Sequence, residues 1–200
     1  MVTEERPEAV TGRAASRSTE PPTSQPLAAS GCVHIKTLEQ ARDLADLLSV
    51  GCRDVNSIAI GLAELMINGI EHGNLAIGFE EKSKLIERGI WLQSVERRLK
   101  LPENAEKYLT VRYIRDGSMM RVSIEDQGPG FDPKPFMHFS DQRWKKGHGV
   151  GIAVARASGF ESVKYQNPGN LVEVVFHLET PGGNAGSSPT TSQDKPAARD

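Results

Sequence analysis

Apolar residues recur every three or four positions over the first part of this chain, and from about residue 108 the spacing shortens to two. Leu38, Ala41, Leu44, Ala45 and Leu48 form one helical stripe, and Thr37 with Gln40 three residues on has the form of a capping box. Val55, Ile58, Ala59, Leu62, Met66 and Ile70 repeat the spacing and predict a longer helix from about Asp54 to Glu71. Residues 79–100 continue in helical period with a break near Gly89, and Pro102 is expected to end that stretch. Tyr108–Arg115 and Met119–Glu125 then alternate as strands do, with Asp116-Gly117 as the hairpin signal between them. A short strand, Cys32–Ile35, precedes the first helix. A helix over about Val150–Ser158, closed by Gly159, is followed by strands Ser162–Gln166 and Leu171–Leu178, joined by a turn at Asn167-Pro168-Gly169-Asn170.

Composition narrows the folded part. Residues 1–30 are rich in Pro, Ser, Thr, Ala and Glu and hold no aromatic side chain, and the stretch from Pro181 to Asp200 is similar. Such segments bury too little apolar surface to offset the entropy of ordering, so both are expected to be disordered, leaving a domain over residues 31–180. The 24 Lys+Arg nearly balance the 26 Asp+Glu, for a net charge of -2, which argues against a general nucleic-acid partner. No apolar run reaches the roughly 18 residues a membrane span needs, and the first residues lack a secretory signal, so the expected location is cytoplasmic, with no membrane partner. Cys32 and Cys52 have no C-x-x-C spacing and are expected to be reduced thiols. His34, His72, His138, His148 and His177 show no metal-ligand spacing.

Three short segments carry candidate chemistry. On a helix turning about 100° per residue, Glu64, Asn68 and His72 share one narrow stripe. A carboxylate there can orient a hydroxyl nucleophile, and an asparagine amide oxygen is a hard ligand suited to Mg²⁺; a solvated polar face explains the stripe equally well. Alternation puts Asp126 in phase with Met120, Val122 and Ile124, on the expected buried side of its strand. A carboxylate there needs a dedicated partner, such as a ligand amine, with Gly128 and Gly130 letting the backbone approach closely, or else it caps a turn. The third segment, Lys145-Lys146-Gly147-His148-Gly149-Val150-Gly151, leads into a helix, where free backbone N–H groups can cradle phosphate. A flexible loop with solvated lysines is the competing reading, and residues 127–149 as a whole read as a long loop.

Taken in order, these segments resemble the GHKL superfamily of ATP-binding domains, which includes histidine kinases, gyrase B subunits and the ninety-kilodalton chaperones. The resemblance is greatest to bacterial anti-sigma-factor serine/threonine kinases. Glu64-x-x-x-Asn68-x-x-x-His72-Gly73 resembles the N box, Asp126-x-Gly128-x-Gly130-Phe131 the G1 box, and Gly147-His148-Gly149-Val150-Gly151-Ile152 the G2 region. It covers residues 31–180 and implies a Bergerat fold: a two-layer α/β (α+β) sandwich whose antiparallel or mixed sheet carries helices on one face, with ATP between the layers. By the same resemblance Asp126 accepts from the adenine amino group, Asn68 ligates Mg²⁺ and Glu64 is the catalytic general base. Gly147, Gly149, Val150 and Gly151 border the phosphates beneath a lid over residues 131–146.

The implied activity is Mg-ATP-dependent phosphorylation of a serine or threonine on a protein partner. That partner would be an anti-anti-sigma-like regulator, a sigma factor, or both, and a homodimer is left open. A non-catalytic ATP-gated interaction module and a detached histidine-kinase catalytic domain are the alternatives. Two departures stand out. Many relatives carry a Gly-Thr pair beside the adenine where this chain has Gly169-Asn170-Leu171, and residues 75–107 form a helical insertion longer than that of compact anti-sigma kinases. That insertion is expected either to pack locally or to offer a partner surface.

Overall fold

The alternation that starts at residue 108 builds the centre of a five-stranded sheet. The computed structural model describes residues 28–134 and 151–179. Its strands are β1 (Ser30–Ile35), β2 (Leu109–Asp116), β3 (Met119–Glu125), β4 (Ser162–Gln166) and β5 (Leu171–His177), in the order β1-β2-β3-β5-β4 with every neighbouring pair antiparallel. The sheet is therefore antiparallel rather than mixed. Gly117, at φ 59°, supplies the left-handed residue that the β2–β3 turn needs.

Along β3 the side chains Met120, Val122 and Ile124 are buried, and their ladder partners Val111 and Tyr113 on β2 and Val172, Val174 and Phe176 on β5 are buried with them. The intervening positions face outward, where Arg112 pairs with Glu125 at 2.9 Å and Arg121 with Glu173 at 2.7 Å. Helices cover the apolar face alone. Helix α1 (Leu38–Ser49) opens with the capping box expected at Thr37 and Gln40 and buries Leu38, Ala41, Leu44, Ala45 and Leu48. Helix α2 (Val55–Asn68) lies between α1 and α6 (Gly151–Ala157). Ile58, Leu62, Leu65 and Met66 of α2 join the sheet residues in one core, each contributing about 1.5–3 kcal/mol by leaving water. The result is a two-layer arrangement of an antiparallel sheet and helices.

Several boundaries differ from expectation. β1 already includes Ser30, and Ala29 O accepts from Arg115 N at 2.7 Å, so the ordered chain begins before residue 31. Pro102 does not simply end a helix: it occupies the first turn of a further short one, α5 (Pro102–Ala105), where its missing N–H has no intrahelical partner to lose. The stretch 75–107 is helical as expected, with α3 (Phe79–Glu87) and α4 (Trp91–Leu99) hinged at Gly89, φ 68°. Arg98 ties it down by donating to Leu75 O at 2.9 Å and to Glu81.

The expected disorder of 1–30 lies outside the described residues except at its C-terminal end, and that of 181–200 lies wholly outside. So does the lid except for Phe131–Lys134. Among the described residues no helix is long and apolar enough to cross a membrane. Neither cysteine is in a disulfide; Cys32 is exposed and Cys52 buried.

Candidate functional site

Helix α2 does not stop at Asn68 but widens into a π-helical turn over Gly69–Asn74, with Leu75 N donating to Ile70 O at 2.9 Å. A π turn advances each residue by less than an α-helix does, so the stripe expected at strict four-residue spacing loses its phase. Glu64 and Asn68 keep it. His72 still borders the same cavity, with its Nδ1–H donating to Ile77 O at 2.5 Å, and burial lowers its pKa, which favours the neutral ring.

The displacement carries Glu71 inward. It is fully buried, accepting from Lys82 Nζ of α3 at 2.5 Å and from Trp91 Nε1 of α4 at 2.5 Å. A buried carboxylate needs such partners, and removing one of them leaves an uncompensated charge. The 75–107 insertion is thereby fixed to the end of α2.

A cavity of about 580 Å³ lies between α2, the end of β3 and the insertion. Glu64, Asn68, Asp126, Gly130 and Gly151 all line it. Gly151 sits so close to α2 that a Cβ there would meet Glu64 Oε2 and lie 3.0 Å from Asn68 Nδ2, which places the start of α6 beside these two side chains. Gly128 stands behind the wall, against Gly73 of the π turn. Gly147, Gly149 and Val150 lie outside the described residues, as do Lys145 and Lys146.

The end of the cavity at β3 is rich in acceptors. Asp126 Oδ1 accepts from Gly128 N at 2.8 Å, Asp126 N donates to Asn170 O at 3.0 Å, and Asn170 Nδ2 donates back to Asp126 O at 3.1 Å. The Asp126 loop is further held to the π turn, since Asn74 Oδ1 accepts from Gln127 N at 2.7 Å. Asn170 Oδ1 is buried and has no hydrogen-bond partner among the described residues. A buried acceptor without a donor, next to a carboxylate, fits a ligand that brings N–H groups. Asn170 is therefore part of this wall. Burial, with the Asp126 carboxylate adding to it, also pushes up the neighbouring Tyr165 hydroxyl.

Burial acts on the carboxyls at both ends. Burial pushes the Asp126 carboxyl up to about 6; the Gly128 N–H opposes this and the Glu125 charge adds to it. Glu64 is likewise raised, chiefly by burial, with Lys82 and Arg42 opposing and Glu71 adding. Asp126 retains its proton more strongly folded than unfolded, where 3.8 is ordinary. Its ionisation above about pH 6 therefore costs stability that is present in full below about pH 4. Asp126→Asn keeps an acceptor for Gly128 N–H and should raise the melting temperature by a few degrees at neutral pH, the partly exposed group being screened by solvent. The two proteins should converge below about pH 4, which thermal melts across the range would check; equal melting at neutral pH would rule out a destabilising carboxylate.

Sequence pattern missed Lys82 and Trp91 as wall residues, and Glu71 as the buried partner that holds them. A signal existed for Lys82: with Phe79 and Ile86 it shares the α3 face that borders the cavity, an odd place for a lysine that only meets solvent. Among the described residues no group of three or more His, Cys, Asp or Glu side chains converges to hold a metal ion. No protein-family model matches the chain, and no curated protein is significantly similar to it.

Proposed function

We propose that the chain is an ATP-binding protein with a Bergerat fold that acts as a Mg-ATP-dependent serine/threonine protein kinase on a regulatory partner, of the anti-anti-sigma or sigma-factor kind. The observation that carries the reading is the cavity lined by Glu64, Asn68, Asp126 and Gly151, which come from three well-separated segments of the chain. Its volume of about 580 Å³ suits a nucleotide-sized ligand. Its acceptor end, Asp126 with the unpartnered Asn170 Oδ1, matches the exocyclic amine of a purine.

The other end supplies the chemistry. Asn68 has an amide without a partner among the described residues, and Mg²⁺ needs only one or two protein ligands when phosphates and water complete its shell. When bound, the ion would neutralise charge on the phosphates. Glu64, whose carboxyl burial raises toward the working pH of a general base, would take the proton of a serine or threonine hydroxyl. The hydroxyl oxygen forms its bond to the γ-phosphorus as the bond from that phosphorus to the β–γ bridging oxygen breaks, giving a phosphoprotein and ADP.

The test is twofold. Calorimetry with Mg-ATP should show saturable binding that weakens at least about tenfold in Asp126→Ala, as loss of a hydrogen bond to a charged acceptor requires. Incubation with γ-labelled ATP and partners recovered from the native cell should give acid-stable phosphoprotein. Acid-labile phosphate would point to a histidine acceptor instead, and absence of nucleotide binding would overturn the proposal.

A further inference from the structure

Two basic side chains line the cavity among the described residues, the exposed Arg42 of α1 and the more buried Lys82, which the insertion contributes. Lys82 projects from α3, and only 16% of its side chain is exposed. Two contacts fix it before any ligand arrives: Nζ donates to Glu71 Oε2 at 2.5 Å and lies 5.5 Å from the centroid of the Trp91 ring. Glu71 is in turn held by Trp91 Nε1, so the π turn and α4 together hold the ammonium that α3 carries. A lysine ammonium has three N–H donors, and Glu71 takes one. The ordering of a long side chain is already accomplished, which favours a ligand that takes the remaining donors.

The placement gives the cavity a direction. Lys82, Glu64 and His72 line the same cavity, and the bond to Glu71, in the turn that continues the helix of Glu64, puts Lys82 on the α2 side; its charge opposes the rise at Glu64. That end also holds the exposed Arg42 guanidinium and the Glu64 and Glu71 carboxylates, and the two carboxylates repel an anion. The opposite end, at Asp126 and Asn170, offers acceptors and cannot take a phosphate.

Resting on the nucleotide reading above, we infer that Lys82 is an insertion-borne phosphate ligand. It donates to the phosphate end of the nucleotide beside Glu64 while Glu71 and Trp91 hold it in place. The insertion is then part of the binding site rather than a separate appendage, and it makes affinity depend on the phosphates rather than on the base alone.

Calorimetry on the full chain with adenosine, ADP and ATP, each with Mg²⁺, tests this in Lys82→Met, Lys82→Arg and the double variant Glu71→Gln with Lys82→Met. The double variant removes the buried charge imbalance that the single one creates and keeps an acceptor for Trp91 Nε1. Both methionine variants should bind ATP about tenfold or more weakly than the wild type, with adenosine affinity within about twofold, and Lys82→Arg should recover part of the loss. Unchanged ATP affinity in the methionine variants overturns the inference, as does an equal loss for adenosine. So does recovery of ATP affinity in the double variant, which would mean that Lys82 serves only to neutralise Glu71. If the wild-type chain binds none of the three probes, the nucleotide reading itself falls and this inference with it.

Discussion

Glu64→Gln is expected to lower phosphoryl transfer by about a hundredfold or more while nucleotide affinity stays within about twofold, because a positioned general base contributes on that scale. The amide keeps the size and shape of the carboxyl beside Gly151 and Asn68, so the wall is preserved and only proton acceptance is lost. The pH profile of the wild type gives a second signature. Burial raises the Glu64 carboxyl, and a base must be deprotonated, so transfer should fall as pH drops through that raised value and level off above it. Lys82 and Arg42 oppose the rise, so removing the Lys82 charge should move the fall to higher pH. Transfer by Glu64→Gln at the wild-type rate would remove Glu64 from the mechanism. Nucleotide binding with no transfer to any partner, in the wild type itself, would instead favour an ATP-gated interaction module.

Gly128→Ala should abolish nucleotide binding and destabilise the fold by about 1–3 kcal/mol, the usual cost of forcing atoms into a filled space. A Cβ at Gly128 would lie 2.5 Å from Gly73 O and 2.7 Å from Gly73 Cα. Both are backbone atoms, so no rotamer relieves the clash, and the Asp126 loop must lift from the π turn. That movement would break the bond from Gln127 N to Asn74 Oδ1 and carry Asp126 with it. Thermal melts and Mg-ATP calorimetry on the same preparation separate the two effects. Wild-type affinity in a folded Gly128→Ala protein would show that the loop position is not what sets binding.

The helices at Leu38–Ser49 and Val55–Asn68 and the hairpin at Gly117 were legible because each is fixed by neighbours in sequence: an apolar repeat, a capping box, a glycine at the turn. The same local logic brought out Glu64, Asn68 and Asp126, whose positions on a helix face and at a strand end follow from period alone. It failed where the period itself changes. The π turn at Gly69–Asn74 allows the chain to pass close to other elements, since a Cβ at Gly69 would lie 2.6 Å from Leu109 Cδ1 and one at Gly73 would meet Asp126. Those contacts come from residues well separated along the chain, and no local repeat encodes them.

The sequence by itself determined the elements, the order of the candidate segments and the alternation that turns Asp126 toward the core, since all of these follow from spacing along one chain. Only the tertiary structure decided that the sheet is antiparallel throughout, that Glu71 is buried between Lys82 and Trp91, and that Asn170 closes the wall beside Asp126 with an unpaired oxygen. Each of these depends on which distant side chains meet. A buried carboxylate takes its partners from whatever element packs over it, and the α3–α4 insertion does so here only once the sheet and α2 have brought it there.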